Sequence, residues 1–520
     1  MIWCPHLVQC VNRSCQFFDL AVLVAPLQED LDCLHRILLL FAGASGLVTN
    51  VDKCVATPIR CTEDMINTVQ QVFPCVVAPF PCKYLGIPLS LGRLRRVEEQ
   101  PLVDAVAARI PTWKSGLLTH AGRVLLTKVT LSAIPVHLSI ACCMSSWGIN
   151  QIDKRRRAFL WSGTETVAGG KCKVAWPVVC RPTDLGGLGV LDLRFFGFAL
   201  RLRWEWLARA EPERCWASLP SRTEKPVAAM AAVSMSVVVG DGAAARLWTD
   251  DWAPVGRLCV FAPDLFDAVS ARGKKRTLSD GLSQNRWARD ITGAPTVQVL
   301  VQYLSVWRVL RDVNLDPLQS DRFVWKWSPD GKYAASSTYR AFFNGSSTLL
   351  GARELWKTKA PPKVKLFFWL ALQCHLWTAD RRRRHGLQDS DECNLYAQAP
   401  KTCGHLLVGC VLARQLWHMS LLPLGLQSLA PTAGDCNLAE WWLHHREQLQ
   451  AEVRPSFDSM VLLVTWTLWK ERNARVFRRR ASAAPAMAKE MLMEAELWCD
   501  AGFRSLAAFA MIWSQNRLTM

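Results

Sequence analysis

Apolar residues recur at helical spacing along most of this chain of 520 residues. Between positions 27 and 42, one helical face carries Leu31, Leu34, Ile37, Leu38 and Phe41. Similar spacing dominates residues 98–210 and the chain from Leu438 onward, whereas short β-like runs fall at residues 20–25, 82–89 and 323–327. The pattern predicts an α+β fold that is predominantly α-helical.

The order of these patterns divides the chain into five parts. At roughly 150 residues for an average domain, a chain of this length should form three or four cores. We expect α+β structure in residues 1–92, helices in 93–220, an irregular connector in 221–320, a small domain in 321–420 and a helical tail in 421–520. The small domain should begin with a strand near Phe323, a turn at Ser328–Gly331 and a helix from Ser337.

Tryptophan is unusually frequent, with 24 residues against 5 tyrosines. Exposed tryptophans can stack on nucleic-acid bases, but most of these lie in apolar runs such as Phe367-Phe368-Trp369-Leu370. We therefore expect most of them to anchor helix packing.

The chain is strongly basic, with a net charge of +18 and an isoelectric point near 9.3. Its positive residues collect in four runs, at 155–157, 274–276, 381–384 and 478–480. Such runs favour RNA or DNA as the partner, bound without sequence specificity, although a solvated basic surface is the alternative. They also resemble nuclear-localisation patches, so we expect an intracellular and nuclear protein.

Neither secretion nor membrane insertion is indicated. The 20 cysteines form no compact, regular framework and no secretory leader opens the sequence, which predicts a reducing compartment. The apolar stretches are shorter than the roughly 18 residues that a membrane span requires, so no membrane partner is expected. The oligomeric state is not predicted.

A series of short strings, in one order over nearly the whole chain, resembles the region that follows the polymerase centre of plant LINE reverse transcriptases, which belong to non-LTR retrotransposons. The strings are Ala44–Asn50, Lys83–Leu89, Pro111–Lys114, Phe159–Gly163, Cys180–Pro182, Gly186–Gly189, Phe323–Gly331, Pro361–Lys363 and Trp469–Asn473. The resemblance implies a truncated palm remnant in residues 1–92, a thumb-like region in 93–220 and a zinc-binding domain in 321–420.

The polymerase centre implied by this resemblance is damaged. Nucleotide transfer needs two metal ions held by carboxylates, and in the family an aromatic-x-Asp-Asp hairpin supplies two of these. Here Gln16-Phe17-Phe18-Asp19 falls on the hairpin, so Phe18 replaces the first carboxylate and Asp19 alone survives. Because the fingers and most of the palm are also expected to be absent, we predict no catalytic residue and no catalytic Mg²⁺.

The zinc-binding segment keeps three of four expected ligands. The family spacing C-x2-C-x8-H-x4-C falls here on Cys393, Tyr396, His405 and Cys410, and a phenol is a poor zinc ligand at neutral pH. Cys403 is one substitute for the lost ligand and a water molecule is another. The site residues for zinc are therefore Cys393, His405 and Cys410.

A run of four arginines, Arg381, Arg382, Arg383 and Arg384, precedes this segment on a helix that should begin near Thr378. Contact with nucleic-acid phosphates and a solvated helix end are equally compatible with the run, because four successive side chains cannot all face one partner.

These features lead to one hypothesis and two alternatives. We expect a remnant of a retrotransposon RNA-directed DNA polymerase that lacks its catalytic centre and retains non-specific RNA or DNA binding. The alternatives are a fragment of a longer, active reverse transcriptase and a host-recruited scaffold for protein interactions.

Overall fold

The computed structural model describes residues 7–12, 21–110, 115–167, 171–214, 216–217, 223–293, 296–393 and 402–515. Helices dominate and the sheets are small, which confirms the predominantly helical α+β class. The chain divides into two compact units, Met1–Ala108 with Ile134–Ile152, and Arg109–Ala133 with Asp153–Met520. Within the described ranges, no helix has both the length and the apolar character needed to cross a membrane.

The strands are β1 (Leu7–Asn12), β2 (Ala21–Val24), β3 (Cys54–Ile59), β4 (Val76–Val77), β5 (Cys82–Tyr84), β6 (Ile87–Leu89), β7 (Met235–Val238) and β8 (Arg322–Trp325). The helices up to residue 210 are α1 (Gln28–Ser45), α2 (Glu63–Val72), α3 (Arg96–Ala108), α4 (His120–Leu126), α5 (Val136–Ala141), α6 (Ser146–Ser162), α7 (Trp176–Cys180) and α8 (Leu193–Ala210).

The later helices are α9 (Lys225–Ser234), α10 (Leu258–Phe261), α11 (Pro263–Ala268), α12 (Leu278–Leu282), α13 (Arg286–Arg289), α14 (Val297–Arg311), α15 (Ala335–Ala341), α16 (Ala352–Lys357), α17 (Pro362–Leu372), α18 (Ala379–Arg384), α19 (Val411–Leu421), α20 (Leu438–Gln448), α21 (Arg454–Arg478), α22 (Ala484–Asp500) and α23 (Ala507–Gln515).

The first unit is built on a four-stranded sheet in the order β2-β1-β3-β4. β1 pairs antiparallel with β2 and β3, whereas β3 and β4 are parallel. Leu31 of α1 and Val69 of α2 pack with Cys54 and Ala56 of the sheet. α1 forms as predicted, but only Leu31 of its apolar face is buried, and Leu40 is 74% exposed.

The second unit has a large apolar core to which α17, α19, α21 and α22 contribute. Nearly every side chain of α17 from Val364 to Ala371 is buried there, including the apolar run Phe367-Phe368-Trp369-Leu370. The fully buried tryptophans are Trp248, Trp287, Trp325, Trp369, Trp417 and Trp442. For these six described residues the expectation of core packing, as opposed to base stacking, is confirmed.

Residues 221–320 are more regular than the connector expected from the sequence. They contain β7 and helices α9–α14, and an apolar cluster gathers around Trp248 and Trp287. The carboxylate of Asp321 closes one end of this cluster, because it accepts hydrogen bonds from four backbone N–H groups. These helices have four to fifteen residues, and tertiary packing stabilises what local periodicity does not reveal. The remaining boundaries of the five-part division stay a prediction.

Candidate metal centre

Cys393, His405 and Cys410 come together in the second unit. Cys393 ends a described segment, His405 begins a π-helical turn at His405–Gly409, and Cys410 is the N-cap residue of α19. Their ligand atoms all lie within 4.8 Å of one another, and the two sulfur atoms are 4.0 Å apart. Tetrahedral zinc with bonds of about 2.3 Å to sulfur places two sulfurs about 3.8 Å apart. The group can therefore hold a metal ion.

The surroundings of the three ligands also suit a metal. Cys393 and Cys410 are buried, and the hydrogen bond between them, followed by burial, raises the pKa of Cys410 well above its usual range. His405 Nε2 is buried and has no hydrogen-bond partner among the described residues. A buried ring nitrogen beside two buried thiols costs free energy unless it is ligated. A bound cation would satisfy the nitrogen and replace the thiol protons.

The turn that carries His405 is fixed from both ends. Thr402 Oγ1 accepts from His405 N at 3.1 Å, and Cys410 N donates to His405 O at 2.7 Å. Leu406 and Leu407 are fully buried, and Trp417 Nε1 donates to Leu407 O at 2.9 Å. The three residues predicted as zinc ligands do lie together, and all three come from one short stretch of chain. Their role as ligands stays a prediction.

The structural importance of Gly404 in this turn was not predicted from the sequence. A Cβ atom on Gly404 would lie 1.7 Å from the backbone oxygen of Cys436, so the backbone passes too close for any side chain. The only sequence signal was a glycine next to the predicted ligand His405.

The structure does not place Cys403 at the metal group. Its buried Sγ lies 3.4 Å from Ala371 O and also interacts with the side chain of Cys374, and its one thiol proton is donated to one of these two acceptors at a time. The substitution of Cys403 for the lost ligand is therefore wrong for this arrangement, because the side chain points towards the end of α17. Tyr396, at the family's second ligand position, lies outside the described residues.

The four arginines of α18 have different surroundings. Arg383 and Arg384 form ion pairs of 2.8 Å with Asp391 and Asp380. Arg381 instead lies over the ring of Trp377, with 4.9 Å between Cζ and the ring centroid, and Arg382 lies near Arg472. The nucleic-acid contact predicted for all four stays a prediction, but the charges of two are already neutralised.

Phe18 and Asp19 of the predicted polymerase hairpin lie outside the described residues. The strands on either side, β1 and β2, pair antiparallel with Val11 opposite Ala21. The loss of the catalytic centre stays a prediction from the sequence.

Comparison with known proteins gives two similarities. Residues 333–417 match the family described as zinc-binding in reverse transcriptase, and this range includes the three ligands. An Arabidopsis thaliana protein with the provisional name of a ribonuclease H protein is 24% identical over 444 residues, or 75% of this chain. The match spans 66% of that protein's length. The chain thus contains a region related to the zinc-binding region of retrotransposon-type reverse transcriptases.

Proposed function

We propose that this chain is a zinc-stabilised, nucleic-acid-binding relative of LINE reverse transcriptases that lacks polymerase activity of its own. The convergence of Cys393, His405 and Cys410 within 4.8 Å, inside the region that matches the reverse-transcriptase zinc-binding family, carries the proposal. Phe18 supports the lack of polymerase activity, because its ring offers no ligand where the family's hairpin holds a catalytic carboxylate.

The metal would be structural. The two thiolates and the imidazole would cross-link the segment after α18, the turn at 405–409 and the start of α19. Zinc supplies folding free energy in such sites because the ligands are not assembled in the unfolded chain. Burial of both cysteines favours this role over a catalytic one, which needs a coordination position open to substrate.

Nucleic acid is the partner that the charge supports best. A net charge of +18 gives favourable electrostatic attraction to a polyanion. The matched family is named for reverse transcriptase and the Arabidopsis protein for ribonuclease H, and both of these enzymes act on nucleic acids. Because the match covers 66% of the Arabidopsis protein, a longer active reverse transcriptase is the second candidate. A primer-extension assay on the product of the whole gene separates the two, since the proposal predicts no incorporation of nucleotides and the second candidate predicts incorporation.

Metal analysis of the purified protein tests the central claim. We expect about one zinc per chain in the wild type, a large loss in Cys410→Ser, and no change in Cys436→Ser, which alters an exposed cysteine outside the metal group. Less than about half an equivalent of zinc in the wild type, after growth and purification in zinc, would refute a zinc-stabilised fold.

A further inference from the structure

Arg381 and Arg472 of the second unit both contact Trp377, and each has a second positive side chain near it, Lys173 beside Arg381 and Arg382 beside Arg472. We refer to Lys173, Arg381, Arg382 and Arg472 as the cationic cluster. Arg381 lies over the Trp377 ring, and its Nη2 donates to Lys173 O at 3.3 Å. Arg381 Nη1 is buried without a hydrogen-bond partner among the described residues. Arg381 therefore keeps one hydrogen-bond donor that the described residues do not satisfy.

Arg472 approaches the same tryptophan from α21. Its Nη2 donates to Trp377 O at 2.6 Å, while its guanidinium lies 5.0 Å from the ring centroid of Trp469 and 5.5 Å from that of Phe477. The side chain is only 3% exposed, and its Nε lacks a partner in the described part of the chain. Arg472 thus places a fixed positive charge beneath the more exposed Arg382.

The charges of the cluster repel one another. Burial, and then the charge of Arg381, lowers the pKa of Lys173. Burial lowers the pKa of Arg472 to about 10, and the charge of Arg382 adds to this effect. Burial and the charge of Arg384 likewise lower the pKa of Arg381. In each case burial is the larger cause, and the charge of a neighbouring positive side chain adds to it.

The neighbouring carboxylates already have partners. Asp380 pairs with Arg384, Asp391 with Arg383, and Glu471 with Arg475. Among the described residues, no carboxylate lies within ion-pair distance of any member of the cationic cluster. Asp380 acts on Arg381 through its charge but pairs directly with Arg384, so the chain compensates this positive charge only in part.

We propose that the cationic cluster is a phosphate-binding site that receives the backbone of a nucleic acid. Lys173, Arg381 and Arg382 are half-buried and would contact phosphate oxygens, whereas buried Arg472 would strengthen the positive potential beneath them. The proposal rests on the proposed nucleic-acid binding and identifies its contact residues. Phosphate contacts carry no sequence information, so binding at this site should not depend on base sequence.

Two double variants that remove equal charge test the assignment. K173Q/R381Q removes two members of the cluster, whereas R383Q/R384Q removes two arginines that are already ion-paired. The affinity of the full-length protein for a fluorescent single-stranded RNA of uniform sequence would be measured by anisotropy over a series of NaCl concentrations. Circular dichroism and the thermal midpoint confirm that each variant is folded.

The slope of log affinity against log salt is negative, and we expect K173Q/R381Q to make it shallower by about 1.4, because each lost phosphate contact reduces the magnitude of the slope by about 0.7 for single strands. R383Q/R384Q should change the slope by less than half as much. If K173Q/R381Q unfolds, K173Q alone and R381K take its place, and R381K should weaken binding because it removes the planar guanidinium.

The outcomes separate the two claims. In one result the wild type binds RNA while both double variants lose affinity equally, and in another it binds RNA while K173Q/R381Q loses no affinity. Either result would overturn the cationic cluster as the phosphate-binding site and leave the proposed function standing. A wild type that does not bind RNA would overturn both.

A parallel thermal scan compares the thermal midpoint of the protein in inorganic phosphate and in chloride at equal ionic strength. Stabilisation that requires Lys173 and Arg381, without any loss of RNA affinity on their removal, would overturn the nucleic-acid assignment in favour of free phosphate.

Discussion

The sulfur atoms of Cys393 and Cys410 lie 4.0 Å apart, close to the separation that one tetrahedral zinc ion imposes on two thiolates. The pKa of Cys410 is raised by its hydrogen bond with Cys393 and by burial, so the metal-free pair holds its protons at neutral pH. Zinc must displace these protons in order to bind.

We therefore expect zinc affinity to rise steeply between pH 6 and pH 8, because each step towards higher pH makes removal of the thiol protons less costly. A titration against a competing chelator measures this dependence. Cys410→Ser should reduce the affinity by at least about 100-fold, and Cys436→Ser should leave it unchanged. An affinity independent of pH would show that the two thiols are not both ligands.

Gly404 is predicted to tolerate no side chain. Gly404→Ala would drive its Cβ against the backbone oxygen of Cys436, and relief of that contact must shift the turn that carries His405. We expect a loss of at least about 2 kcal/mol in unfolding free energy together with weaker zinc binding. Gly434→Ala is the matched control, since its Cβ would meet nothing closer than 3.9 Å. Equal behaviour of both variants in denaturant titrations would contradict the close approach.

Local sequence patterns predicted those elements whose residues lie close together along the chain. The helical spacing at residues 27–42 indicated α1, and the β-like run at residues 323–327 indicated β8, because each pattern is carried by neighbouring residues. The grouping of Cys393, His405 and Cys410 was predicted because the family spacing falls on them within one short stretch of chain.

Contacts between distant residues could not be predicted in this way. Arg381 donates to the carbonyl of Lys173 across 208 residues, and no periodicity relates the two. The same limit explains why the run Arg381–Arg384 looked uniform in the sequence, although ion pairs neutralise only Arg383 and Arg384. The short helices of residues 221–320 were missed because their stability comes from packing around Trp248 and Trp287.

Asp321 should control the stability of the region around Trp248 at acidic pH. Burial alone would raise its pKa, but hydrogen bonds from the backbone N–H groups of Gly240, Gly242, Ala244 and Ala245 outweigh burial and lower it. A lowered pKa contributes stability that is present above the ordinary value near 4 and is lost as the pH falls through the folded-state value.

Asp321→Asn should therefore lower the unfolding free energy at pH 7 by about 2 kcal/mol or more, because an amide lacks the charge that four donors stabilise. The variant should also show a smaller fall in unfolding free energy between pH 7 and pH 3. Urea titrations at pH 7 and pH 3 measure both effects. Asp330→Asn is the control, since that exposed carboxylate accepts a single backbone hydrogen bond, from Lys332. A D321N protein as stable as the wild type at pH 7 would refute the role of these contacts.

Cys374 is expected to be an unusually reactive thiol. It is exposed, and the hydrogen bond from Cys403 lowers its pKa to about 6, so the thiolate predominates at pH 7. An ordinary cysteine is only a few per cent thiolate at that pH. Because a thiolate of lower pKa is also a weaker nucleophile, the gain in rate is smaller than the gain in thiolate. We expect iodoacetamide to modify Cys374 about ten times faster than the exposed Cys436, as peptide mass spectrometry would measure. Cys403→Ala removes the donor, and an unchanged rate at Cys374 in that variant would contradict its role.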